Sequence, residues 1–182
     1  MIKKIFGNHL LTAFLPWIFF SIFNNSHLLW ASLGALMLVV LFNFRELKQG
    51  FIMPVGSVIF FGFFALNDLF GFSKWAEDHS FLLINSGLAI IVCFSMIIGK
   101  PFTIQYAREK VDKSRWNHPT FLKVNWILTT IWAILMIIMA LPSYFLTQDQ
   151  VNASWFWNYG ITMICIVIGL ECNKIIPAIF KK

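Results

Sequence analysis

The sequence predicts an all-α, polytopic integral membrane protein of about six transmembrane helices with both termini cytoplasmic. Three observations predict it. Of 182 residues, 59% are hydrophobic and 12% charged, about half the charged fraction of an average soluble domain. The apolar residues gather in long runs separated by short polar punctuation, the pattern of spans of roughly 17 to 25 residues. The cations fall almost wholly on one set of connecting segments, which orients a membrane chain. A soluble domain of this length has too little interior for 21 Phe and 8 Trp, whereas lipid accepts them.

The spans follow in order. HLLTAFLPWIFFSIF (9–23) and LLWASLGALMLVVLFNF (28–44), joined by NNSH, read as a helical hairpin. After RELKQG comes a third span (51–72), and after SKWAEDH a fourth (80–99). A basic loop (100–123) precedes the fifth (124–146), and the link TQDQVNAS precedes the sixth (155–172). Together they make one membrane domain, 1–182. The first span is the weak one: it is short and contains Pro16, so a re-entrant segment stays open. A neighbouring helix must satisfy the carbonyl that this proline frees. The opening MIKK also suits a signal peptide. No small-x-small cleavage pattern follows Phe23, and a retained anchor is the better reading.

Orientation follows from charge. With both termini inside, Lys3, Lys4, Arg45, Lys48, the six cations between Lys100 and Lys123, Lys174, Lys181 and Lys182 are cytoplasmic, and only Lys74 is external. The external side takes Asp68, Glu77, Asp78 and Asp149. An odd number of spans would strand one group of cations on the wrong face. Trp30, Trp75, Trp116, Trp126, Trp155 and Trp157 lie near predicted span ends, as interfacial anchors do.

Chemical motifs are sparse. Cys93, Cys165 and Cys172 show no CxxC pairing, and His9, His27, His79 and His118 are scattered, so neither a metal site, a haem nor another cofactor is expected. The GxSxG, HExxH and phosphate-loop patterns are absent from the sequence, and no catalytic residue is assigned. Asp68 and Glu171 are the candidate intramembrane acids, because charge in a membrane is costly and usually functional. Depth favours interfacial solvation for both, and Glu171 has Lys174 three residues on as a partner. Ala31, Ala35, Gly87 and Ala89 suit close helix approach.

The loop carries the most specific pattern. Lys100, Arg108, Lys110, Lys113, Arg115 and Lys123 lie in one short stretch, with Phe102, Gln105, Tyr106, Glu109 and Trp116 between them. A helix over 102–114 would put Ile104, Ala107 and Val111 on one face and Phe102 and Tyr106 nearly opposite. Three readings stand: a membrane-surface helix, Phe102 and Tyr106 docked back onto the bundle, or a segment that only sets topology. Glu109 and Asp112 dilute the charge, and so few tethered cations argue against nucleic acid.

The combination of FLPWIFFSIF, GKPFTIQYAREKV and Trp116 followed by KVNWILTTIWA resembles the bacterial intracellular septation protein A family of inner-membrane proteins. Lys100, Pro101, Gln105, Glu109, Lys110, Trp116 and Asn125 match its pattern. Tyr106, Ala107 and Arg108 depart from the apolar and Gly residues usual there, and NHPTFLK looks inserted, as in a distant branch. The resemblance implies a multi-pass protein of the bacterial inner membrane, serving envelope maintenance or septation, with no catalytic site to carry over. It favours a non-enzymatic scaffold that contacts membrane lipid or division and envelope proteins through loop 100–123; a homo-oligomer is compatible with it. Two alternatives stand beside it. A small-solute transporter or channel would use polar groups such as Asn85, Ser86, Thr129, Thr130, Asn158 and Thr162; a lipid-modifying enzyme would use Asp68, Glu77, Asp78 and His79.

Overall fold

The computed structural model describes residues 9–24, 27–145, 156 and 160–180. Lys3, Lys4, link 147–154, Trp155, Trp157, Asn158, Lys181 and Lys182 lie outside the described residues. Among the described residues all regular structure is helical. The helices are α1 His9–Phe23, α2 Leu28–Lys48, α3 Ile52–Phe70, α4 Lys74–Asp78, α5 Ser80–Ile97, α6 Phe102–Arg108, α7 Pro119–Phe145 and α8 Ile161–Ile179. A 3-10 turn, Lys113–Arg115, lies between α6 and α7.

Five helices are long and apolar enough to cross a membrane: α2, α3, α5, the Pro119–Pro142 part of α7, and α8. The described α1 has 15 residues, about 22 Å at 1.5 Å per residue, short of a hydrocarbon core about 30 Å thick. The protein is therefore a helical, multi-pass membrane protein by length and composition. Its element ends differ from expectation where polar residues ride on a helix. α8 continues past Cys172 to Ile179, with Glu171 and Lys174 paired along its surface. α2 likewise runs through Arg45 to Lys48, cations that suit a helix C-terminus.

Contacts divide the chain into two compact units, Met1–Ile84 and Asn85–Lys182. In the first, α1, α2 and α3 pack on one another. Trp17 meets Phe60 and Phe61 at ring-centroid distances of 4.6 and 4.9 Å, and Phe20 meets Phe61 and Phe64 at 5.2 and 5.4 Å. α2 turns Ala31, Ser32, Ala35, Val39, Asn43 and Glu46 inward, a stripe at three- and four-residue spacing. Its small members let the backbones approach.

Pro16 has no N–H to give Thr12, four residues back, so the Thr12 carbonyl loses its helical donor. The Asn43 side-chain amide supplies one across the hairpin, Nδ2 to Thr12 O at 3.2 Å. The Thr12 hydroxyl returns a bond to Asn43 Oδ1 at 3.3 Å. Asn43 leaves helical geometry in doing so, with φ −125° and ψ 23°. A second polar chain runs from Trp17 Nε1 to the Ser57 hydroxyl and on to Met53 O, both at 2.8 Å.

In the second unit, α7 and α8 pack with Trp132 over Gly169, where an added Cβ would lie 2.6 Å from the indole. Leu135, Met139 and Cys165 continue the seam. Lys123 Nζ, near the start of α7, sits 5.7 Å from the centroid of Phe180, just beyond the end of α8. The two helices therefore run antiparallel.

The Asn43 closure makes a prediction about stability in detergent. Asn43→Ala should lower stability by about 1 to 2 kcal/mol, the cost of a buried carbonyl left without a donor. Adding Pro16→Ala returns an N–H to Thr12 and should recover part of the loss. A thermal-unfolding double-mutant cycle measures the coupling; additive effects would show that Asn43 does not serve the proline.

Candidate contact surface between α5 and α7

Loop 100–123 begins where α5 ends. Gly99 adopts φ 69°, a left-handed conformation that glycine takes without a Cβ clash. The Gly99 and Lys100 amides fold back onto Met96 O and Ser95 O, both at 2.9 Å. Pro101 follows as the N-cap of α6, where a missing N–H costs nothing. The Ser95 hydroxyl accepts the first amide of α6, from Phe102, at 3.2 Å and donates to Val92 O at 2.6 Å.

α6 is seated rather than laid on a surface. Phe102 is fully buried, and Thr103, Ile104 and Tyr106 are at most 8% exposed. The helix packs on α7. The Thr103 hydroxyl donates to Asn125 O at 2.8 Å. Its only proton is then committed, so at the 2.7 Å contact between the Thr103 and Thr129 hydroxyls Thr129 is the donor. Asn125 Nδ2 donates to Phe121 O at 2.8 Å. Phe102 and Tyr106 are docked inward, and their rings meet edge to face at 6.3 Å.

A helix continuous over 102–114, which would have put Ile104, Ala107 and Val111 on a common face, does not form. α6 stops at Arg108, and Asp112 opens a new turn by accepting the Ser114 amide at 2.9 Å. That amide bond, then the Ser114 hydroxyl and the nearby Arg115 cation, hold the exposed Asp112 carboxyl below its ordinary range. Its support for the turn is therefore present at neutral pH and is lost only as pH falls below the usual aspartate range. Residues 119–123, expected in the loop, form the first turns of α7. The His118 imidazole caps them by accepting the Thr120 amide at 3.2 Å.

Trp116 ties the loop together. Its indole N–H donates to Val111 O at 3.1 Å. Arg108 Cζ and Lys113 Nζ sit 5.2 and 5.9 Å from its ring centroid, within cation–π range. Lys100, Lys110, Lys113, Arg115 and Lys123 are exposed, and Gln105, Arg108, Glu109 and Trp116 are half-buried.

The other candidates lie apart in the chain. Asp68, exposed near the end of α3, and Glu171, exposed on α8 and paired with Lys174, belong to different units. Glu77 accepts from Asn67 Nδ2 at 3.0 Å. Asn67 also clamps Ser73: its Oδ1 accepts the Ser73 backbone amide at 2.7 Å, and its Nδ2 donates to Ser73 O at 3.1 Å. His79 stacks on Trp75 at 4.6 Å, and its Nδ1 lies 2.9 Å from Trp75 O. Among the described residues no group of three His, Cys, Asp or Glu could hold a metal. Sequence reasoning placed Glu46 in a loop, yet it is only 2% exposed. Its three- and four-residue spacing from Asn43, Val39 and Ala35 was the signal that α2 continued through it.

The threonine pair yields a test of seating. Thr103→Val should lower stability by about 1 kcal/mol, the range of hydrogen bonds between membrane helices. Thr103→Val with Thr129→Val should cost less than the sum, because no hydroxyl is then left unpaired. Thermal unfolding of the two single variants and the double measures it. Comparison of the chain with protein-family models, with curated proteins and with solved structures finds no match.

Proposed function

We propose that this protein is a non-enzymatic scaffold of the bacterial inner membrane, serving envelope maintenance or septation and contacting its partners through loop 100–123. In this reading the chain passes the membrane six times, α1 included, with both termini and the loop cytoplasmic. The observation that carries the reading is the seating of α6: Phe102 is fully buried and Thr103 is bonded to α7. Charges attached to such a helix are presented in one geometry, whereas a topology signal needs only to be on the correct side. The resemblance to the septation protein A family supplies the envelope context. Asp68 and Glu171 contribute surface charge and move no proton.

Two measurements test this. In a cysteine-free background, Asp78→Cys should react with an impermeant thiol reagent added to intact cells. Gln49→Cys and Asn117→Cys should react only after permeabilisation. Labelling of Asn117→Cys from outside would overturn the orientation. In a strain lacking the gene, Asp68→Asn and Glu171→Gln should complement as fully as wild type. Failure of either at normal expression would favour transport or catalysis over a scaffold.

A further inference from the structure

We propose that Arg108, Lys113, Arg115 and Lys123, held around Trp116 and the end of α8, form a docking surface for the phosphate headgroups of anionic phospholipid. The inference rests on the reading of loop 100–123 as a contact surface and names what occupies it.

Three observations point to a membrane headgroup. The first is positive charge that is only partly neutralised within the loop, by Asp112 beside Arg115. Among the described residues, Lys113, Arg115 and Lys123 make no ion pair, and the buried Nε of Arg108 has no acceptor. Asp112, the exposed acid among them, is turned onto the Ser114 amide. The second is how the cations are held. Arg108 and Lys113 each lie within cation–π range of the Trp116 ring, and Lys123 lies over Phe180. Ring faces hold a cation in place yet leave its N–H groups to an anion.

The third observation is depth. Lys123 lies in the first turns of α7, whose Pro119–Pro142 stretch is long and apolar enough to span hydrocarbon. Three residues on, and so on the same face, Trp126 is 38% exposed, the position of an interfacial aromatic anchor. A cation one turn outside such an anchor stands at headgroup level, where anionic lipid is the concentrated source of phosphate. An acidic protein segment meets the same charges but has no use for the apolar boundary beside them.

The test uses the purified full-length protein in detergent, with retained lipid counted by native mass spectrometry after addition of phosphatidylglycerol or phosphatidylcholine. Wild type should retain the anionic lipid in preference, and the preference should fade as salt rises. Lys113→Gln, Arg115→Gln and Lys123→Gln together should reduce it about tenfold or more, with the unfolding midpoint in phosphatidylcholine unchanged. Lys48→Gln with Lys74→Gln, charge changes elsewhere, should leave it intact. Equal preference in wild type and the triple variant would overturn the proposal, as would a preference indifferent to salt. Displacement of the lipid by inorganic phosphate beyond that caused by chloride at the same ionic strength would identify a soluble anion as the occupant and overturn it too. Unchanged lipid retention with loss of a copurifying protein would keep the loop as a contact surface but remove lipid as its occupant. No change in either would also remove the scaffold reading.

Discussion

In hydrocarbon, a backbone carbonyl without a donor has no water to turn to and costs several kcal/mol. Pro16 creates such a carbonyl at Thr12, and the packing of the first unit depends on how it is satisfied. Apolar contact alone does little to choose a partner helix, because lipid tails offer nearly the same dispersion contacts as Leu or Phe. The Asn43 amide changes this, since it reaches Thr12 O only if α1 lies against α2 in one register. With α1 so placed, Trp17 and Phe20 face the aromatic residues of α3, and the Trp17 N–H finds Ser57. The non-helical backbone at Asn43 is the local cost of that closure.

The same constraint explains why a helix of seven residues persists at α6. Isolated helices of that length are not stable in water, and each end leaves donors or acceptors without intrahelical partners. Here Pro101 contributes no donor, Ser95 receives the Phe102 amide, and the Thr103 hydroxyl bonds a carbonyl of α7. Burial of Phe102 and Tyr106 adds apolar contact beside the Thr103 bonds. Fixing α6 fixes Arg108 at its last turn, and Arg108 in turn rests on Trp116. Order passes from a buried threonine to a charged surface through covalent neighbours.

Hydrophobic runs made the helices legible in the sequence, and the proline in the first run signalled that a cross-helix donor was needed. That the donor is Asn43 was not legible, because NFRELK reads as the end of a span by charge. A helix ends where hydrogen bonding and capping end it, not where the apolar residues stop. α8 likewise runs past the expected span end at Cys172, with Glu171 and Lys174 paired on its surface. In the loop, the alternative of Phe102 and Tyr106 docking inward could be written down from the sequence. Choosing it required knowing that Thr103 faces Thr129, a pairing across 26 residues. Local periodicity carries no information about such a partner. It also overextended α6 to residue 114, because the Asp112 carboxylate competes for the Ser114 amide and starts a new turn.

The distribution of acids sharpens the meaning of the basic stretch. Six cations and two acids lie between Lys100 and Lys123, so the acids matter only if they stand among the cations. Asp112 is occupied by the Ser114 amide, and Glu109 is half-buried in the turn after α6. Lys113, Arg115 and Lys123 remain exposed, within a Debye length of about 8 to 10 Å of any headgroup they touch. A segment that only oriented the chain would meet its requirement with these cations on mobile side chains. Arg108 and Lys113 instead both rest against the Trp116 indole, and ring contacts, a buried α6 and an external anion are what can offset the excess positive charge of the loop. The structure supplies the first two, and the charge left over faces outward.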